Sequence, residues 1–274
     1  MTTPRLTRGA KGAEVRRLQD QLNKTGALLE LDGDFGRGTL RALHRCQALA
    51  SRPQSDATDA DIWRWLESQP PPSAELSCEA VTFVAREEVG SREYYDSHVH
   101  RPHFPGEKSG VTIGVGYDLK FRDAAAFTAD WGGELDQQVL QQLSPHLRLP
   151  GSAAAVAGLA AISIPFESAW RVFLARTLPE FIAKTRGVFT TYGNLPDLCR
   201  GVLVSLVYNR GESLSGDSRK ELRNIRNHLA AGDLDKVAGE LRAMNRLWGA
   251  DSGLTGRRER EARLWERAAL SGGA

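Results

Sequence analysis

The chain has 274 residues, 41% of them hydrophobic and 26% charged. That balance belongs to a globular protein of one large or two unequal domains and excludes disorder over most of the length. A formal net charge of +2 excludes nucleic acid as an electrostatically captured main partner, and the longest nearly apolar run, residues 151–165, is shorter than the roughly 20 residues of a membrane span.

In chain order, the first residues are polar and basic with no apolar stretch, so no secretory signal is predicted. Val15, Leu18 and Leu22 recur at helical spacing, with Gly26 as a stop. A turn-rich loop, Leu31-Asp32-Gly33-Asp34-Phe35-Gly36, precedes a second helix from about Arg37 with Leu40 and Leu43 inward, and Thr39 is expected to cap it. A third short helix carries Ile62, Trp63, Trp65 and Leu66. Pro70-Pro71-Pro72 cannot continue a helix and favours a stiff spacer. We therefore divide the chain into a module at 1–68, a linker at 69–73 and a larger module at 74–274. Basic and acidic residues nearly balance in each module, so neither is an electrostatic trap.

In the larger module, Leu76, Ala80, Phe83 and Val84 mark a helix ending near Val89-Gly90. Residues 111–116, VTIGVG, alternate β-branched residues with glycine and predict two short strands or a hairpin. Helical patterns follow to the end, among them Leu198, Val202, Leu206 and Val207 after Pro196, then Leu222, Ile225 and Leu229, then Val237, Leu241 and Met244. The fold class is α+β, mainly helical, with one short β-hairpin. Cys46, Cys78 and Cys199 are expected as buried thiols; one disulfide with a leftover thiol is the alternative, and their spacings match no metal motif.

Two motif sets go further. Leu6-x-x-Gly9-x-x-Gly12-x-x-Val15-x-x-Leu18-Gln19, Leu22 and Asp32-Gly33-Asp34-Phe35-Gly36-x-x-Thr39 fall in order over residues 5–68. This resembles the small three-helix peptidoglycan-binding module of cell-wall enzymes, with Cys46 where that family usually has an aromatic. The second set is Glu88-Val89-Gly90-Ser91-Arg92-Glu93-Tyr94-Tyr95-Asp96, then Ser109-Gly110-Val111-Thr112-Ile113-Gly114-Val115-Gly116-Tyr117-Asp118, then Val207-Tyr208-Asn209-Arg210-Gly211, then Gly253-Leu254 with Arg257, Arg258 and Glu261. This resembles the phage-type lysozyme superfamily, in the branch that includes pesticin-like muramidases.

Glycosidic cleavage needs a carboxylic acid to protonate the leaving oxygen, best placed where an apolar setting keeps it protonated. Spacing leaves two candidates at the helix end: Glu88, four residues beyond Val84, and Glu87, four beyond Phe83. The resemblance selects Glu88 and leaves Glu87 as a surface carboxylate. It also implies Thr112 and Asp118 as the rest of the catalytic set, the hydroxyl holding water and the carboxylate stabilising positive charge or acting as base; Asp96 is the competing carboxylate. Arg92 is expected to pair with an acidic neighbour and orient the cleft. Tyr95 and Tyr117 line the sugar groove or pack in the core, and Asn209 completes the substrate-binding set.

His98, His100 and His103 sit in a stretch with Pro102, Pro105 and Gly106. They read as a loop at the cleft rim, because their spacing fits no standard zinc motif and a metallopeptidase needs a further carboxylate or sulfur ligand. The mixed-sign run 257–263 reads as a solvated face with local ion pairs. The expected protein is a monomeric muramidase of peptidoglycan that needs no cofactor or metal. It is made without a visible signal and acts in the periplasm or on the wall, as a phage endolysin or as an injected antibacterial effector with an immunity protein as partner. The alternatives are a wall amidase or peptidase using the histidine loop, and a non-catalytic wall-binding protein.

Overall fold

The computed structural model describes residues 3–106, 109–249 and 252–271. The helical spacings form where they are expected: α1 (Ala13–Asn23), α2 (Arg37–Leu49) and α3 (Ala60–Ser68). The stripe residues Val15, Leu18, Leu22, Leu43, Ile62, Trp63 and Leu66 meet Phe35 in one fully buried cluster, with Leu40 and Trp65 partly buried at its edge. Gln19 organises the intervening loop. Its amide donates to Asp32 Oδ1 at 2.6 Å, and its oxygen accepts from the Gly33 N–H at 3.0 Å. Thr39 does not cap α2. Gly36 occupies that position, and Thr39 lies inside the helix, buried, with its hydroxyl 3.3 Å from the Asp34 carbonyl.

The next element is α4 (Cys78–Val89), followed by α5 (Arg92–Tyr94) and one π-helical turn over Tyr95–Val99. β1 (Thr112–Ile113) and β2 (Tyr117–Asp118) then pair antiparallel, the only sheet among the described residues. Gly114 and Gly116, at φ +57° and +68°, close the connecting loop in the left-handed region that side chains resist. A Cβ on Gly114 would also come within 3.0 Å of the Trp131 ring. α6 (Ala124–Trp131), α7 (Gln137–Leu143), α8 (Ala153–Ala157) and α9 (Phe166–Val172) follow, then α10 (Leu178–Val188), α11 (Asp197–Arg210), α12 (Lys220–Ala231), α13 (Val237–Ala243) and α14 (Gly253–Ser271). The architecture is mainly helical α+β. No helix among the described residues is long and apolar enough to cross a membrane.

The chain divides into two compact units: Met1–Pro70 with Glu88–Leu178, and Pro71–Glu87 with Pro179–Ala274. Within the first unit the three-helix segment packs on the later segment. A Cβ on Gly26 would lie 2.6 Å from the Phe166 ring, so only glycine permits this approach. Arg41 and Arg45 of α2 both hold Glu93, at 3.1 and 3.2 Å. Within the second unit, α11 and α13 pack on α14, and Cys199, Val202, Leu206, Leu241 and Trp265 are fully buried. All three cysteines are buried thiols, and burial pushes Cys46 and Cys199 up to about 12.

Candidate active site

The hairpin places Thr112 directly opposite Asp118. Residues so opposed in an antiparallel pair share a face, with about 4.5–5.5 Å between their Cβ atoms. The Asp118 carboxylate is held by backbone donors: Gly110 N–H at 3.0 and 3.1 Å to its two oxygens, and Lys120 N–H at 2.9 Å. Donors of this kind fix a carboxylate's direction. Gly110 is required for this arrangement, because a Cβ there would lie 2.5 Å from Asp118 Oδ1. Thr112, 4% exposed, also exchanges two backbone hydrogen bonds with His103, at 2.8 and 3.0 Å. Three short segments thus lie side by side at 103, 112 and 118.

Glu88 occupies the last turn of α4, half-buried, and belongs to the same compact unit as the hairpin. Gly90, at φ +73°, turns the chain just past the helix, and the Ser91 hydroxyl caps the next one by accepting from Tyr94 N–H at 3.1 Å. Arg92, one residue into α5, pairs as expected. Its Nε donates to both Asp96 oxygens at 3.0 Å, its Nη2 to Glu167 at 2.9 Å, and its guanidinium lies 4.2 Å from the Phe166 ring centroid. Asp96 is therefore committed to Arg92, whereas Asp118 has backbone donors.

Both named tyrosines are packed. Tyr95 is fully buried, edge-on to Phe166, and donates to the Ile164 carbonyl at 3.0 Å; burial pushes its phenol well above its ordinary value. Tyr117 stands edge-on to Trp131 and donates to Asp130 at 2.8 Å, bracing the hairpin on α6. Two aromatics in this unit are exposed: Tyr94, 52% exposed and stacked on His98 at 4.5 Å, and Phe121 just past Asp118. Tyr94 and His98 have i,i+4 spacing on a helical turn, which is the sequence signal for their stacking. Gly110 is the other residue that sequence reasoning did not single out; its signal is a small residue just before the strand.

The second unit corrects two expectations. Glu87 is not a surface carboxylate: its side chain is 4% exposed, Arg260 bonds both its oxygens at 2.6 and 2.8 Å, and Arg257 donates to its carbonyl at 3.3 Å. Nor is the run 257–263 simply a solvated face. Arg257, Arg258 and Glu261 share one side of α14 and are buried, while Glu259, Arg260 and Arg263 take the solvated side. Glu261 accepts from the Ser205 hydroxyl at 2.7 Å and from Arg258 at 3.0 Å, and Arg258 also reaches the Asn209 side-chain oxygen at 3.3 Å. Burial pushes the Arg258 guanidinium down to about 10 and the Glu261 carboxyl up. Asn209 thus belongs to this ionic core.

A prediction follows from Glu87. Glu87→Gln leaves two arginines facing a neutral amide in a largely buried place, so stability falls by about 1–3 kcal/mol, read as a lower midpoint in thermal unfolding. A second concerns acid. Burial opposes the charge on Glu93 and Glu167, but backbone N–H donors outweigh it, together with Arg45 and Arg41 at Glu93 and Arg92 at Glu167, so both carboxyls sit below their ordinary 4.5. A lowered folded-state pKa stabilises above the unfolded value and is lost as pH falls through the folded one. Thermal midpoints accordingly drop on acidification below pH 4.5, and Glu93→Gln reduces that drop.

The histidine loop separates its three members. His98 stacks on Tyr94 and bonds Ser97, His100 accepts from Arg101 at 3.2 Å, and His103 pairs through its backbone with Thr112, its imidazole pushed down by burial. Among the described residues, no group of three or more His, Cys, Asp or Glu side chains is placed to hold a metal ion.

The family model of a domain of unknown function, DUF8812, matches residues 79–250. No curated protein matches the chain. The crystal structure of a Burkholderia AP3 phage endolysin is 13% identical, with 97% of this chain and 100% of that one covered, at a TM-score of 0.24.

Proposed function

The chain belongs to the DUF8812 family, and we propose that it is a peptidoglycan hydrolase: a muramidase that cleaves the β-1,4 bond between N-acetylmuramic acid and N-acetylglucosamine. The observation that supports this reading most is the pairing of Thr112 with an Asp118 carboxylate held by backbone N–H donors. In this reading Glu88 donates its carboxyl proton to the leaving glycosidic oxygen. Asp118 faces the positive charge that develops at the anomeric carbon, or takes the proton of the attacking water. Thr112, opposite it, orients that water through its hydroxyl. Arg92, locked to Asp96 and Glu167, fixes the chain just beyond Glu88.

Residues 1–68 act as the wall-binding module, and holding the enzyme on its polymer raises the local substrate concentration. The protein acts in the periplasm or on the wall, as a phage endolysin or as an antibacterial effector paired with an immunity protein. The test is the turbidity of purified sacculi. The suspension clears with the wild type, and EDTA leaves the rate unchanged because two carboxylates and a hydroxyl perform the chemistry. Loss with EDTA and recovery with zinc would instead assign the reaction to a metal-dependent amidase at the histidine loop.

A further inference from the structure

We propose that the first unit carries a separate binding site for the peptide stem of peptidoglycan, as distinct from its glycan. The inference rests on the wall-hydrolase reading and adds a recognition element to it. A cleft of about 370 Å³ is formed by the end of α1, the face of α2 and residues 92 and 167. That volume falls in the ~300–1,000 Å³ range of small-ligand clefts.

Its walls define what fits. Ala27, Ala42, Ala48 and Leu49 supply methyl groups, Arg45 and Arg92 cations and Glu167 an anion, with Arg92 already paired to Asp96 and Glu167. Arg45 makes a single hydrogen bond to Glu93 and retains other guanidinium N–H groups, while Glu167 accepts from Arg92 through one oxygen and remains half-exposed. Among the described residues, no aromatic ring lines the cleft. With Arg92 engaged by Asp96 and Glu167, a ligand matched to small methyl pockets, the Arg45 cation and the half-exposed Glu167 is a short peptide with alanine side chains, a free carboxylate for Arg45 and an ammonium for Glu167. A wall stem containing alanine and a diamino acid has this chemistry.

The cleft exists because the three-helix segment rests on the later one, through Gly26 against Phe166 and through Arg41 and Arg45 on Glu93. The wall-binding module and the segment that follows Glu88 thus share one ligand site.

The test is calorimetric titration of the full-length chain carrying Glu88→Gln, using a soluble stem tetrapeptide with a diamino acid and a C-terminal alanine, and in parallel a peptide-free chito-oligosaccharide. The tetrapeptide is expected to bind. Binding weakens about tenfold or more in Arg45→Met, which removes a charge-assisted hydrogen bond, and to a similar degree in Ala48→Trp. Ala48 is exposed, so a tryptophan there fills the cleft without entering the core, and this variant decides the matter if Arg45→Met loosens the fold. Absence of tetrapeptide binding, or equal binding in Ala48→Trp, overturns the site. The two readings fail separately. If Glu88→Gln stops wall cleavage but no peptide binds, this site is lost and the muramidase remains. If the peptide binds in the cleft while Glu88→Gln cleaves normally, the site stands and the muramidase does not.

Discussion

In the proposed muramidase, Glu88→Gln is expected to lower wall cleavage by about 10²–10⁴-fold, the usual contribution of a general acid, and to retain binding to intact sacculi. The substitution preserves side-chain size and hydrogen-bonding capacity but removes the transferable proton. Glu88 is half-buried at the end of α4. Its neighbour supplies the internal control. Glu87 is held by Arg260 and Arg257 in the second unit, so Glu87→Gln lowers the melting temperature and leaves turnover per folded molecule near normal. Rates compared at matched fraction folded separate lost chemistry from lost stability. Near-normal turnover in Glu88→Gln with a dead Glu87→Gln would move the acid by one residue.

The second large effect belongs to Asp118. Asp118→Asn removes the charge that the Gly110 and Lys120 N–H groups hold in place, and cleavage falls on the scale of the Glu88 variant. Gly110→Ala gives a stricter test, because residue 110 has no reactive group. Its Cβ would lie 2.5 Å from Asp118 Oδ1 and 2.8 Å from the Lys120 nitrogen, so the carboxylate must leave its donors. Catalytic geometry tolerates little displacement, and an error near 1 Å can cost about 10²-fold. A loss of that order in kcat with an unchanged circular dichroism spectrum is the expected result. Asp96→Asn is mild by comparison, because Arg92 keeps Glu167. If Asp96→Asn is the severe variant and Asp118→Asn is not, the hairpin carboxylate is not the second group.

Much of this was legible in the sequence because it depends on neighbours along the chain. Helical spacing marked α1, α2 and α11 through residues such as Leu18, Leu43 and Val202. The alternation of β-branched residues with Gly114 and Gly116 marked two short strands or a hairpin over 111–116, whereas Thr112 and Asp118 were joined only by the lysozyme resemblance, and their pairing across the hairpin is a finding of the structure. What depends on distant partners was not legible. Glu87 looked like a helix-end carboxylate because Arg260 lies 173 positions away in the chain. Arg258 and Glu261 looked solvated because mixed charges at helical spacing usually are; their burial follows from the packing of α11 on α14, which puts Ser205 and Asn209 against them. Tyr95 and Tyr117 allowed two readings, and only their partners at Ile164 and Asp130 distinguish packing from an open groove. Gly26 served as a helix stop in the sequence, yet its larger role is to admit the Phe166 ring.

The measurement that bears most directly on the central claim is mass analysis of the soluble fragments released from purified sacculi. The account predicts disaccharide-peptides that end in a reducing N-acetylmuramic acid, produced by the wild type and nearly absent with Glu88→Gln. Free stem peptides beside intact glycan strands, or fragments ending in reducing N-acetylglucosamine, would contradict it.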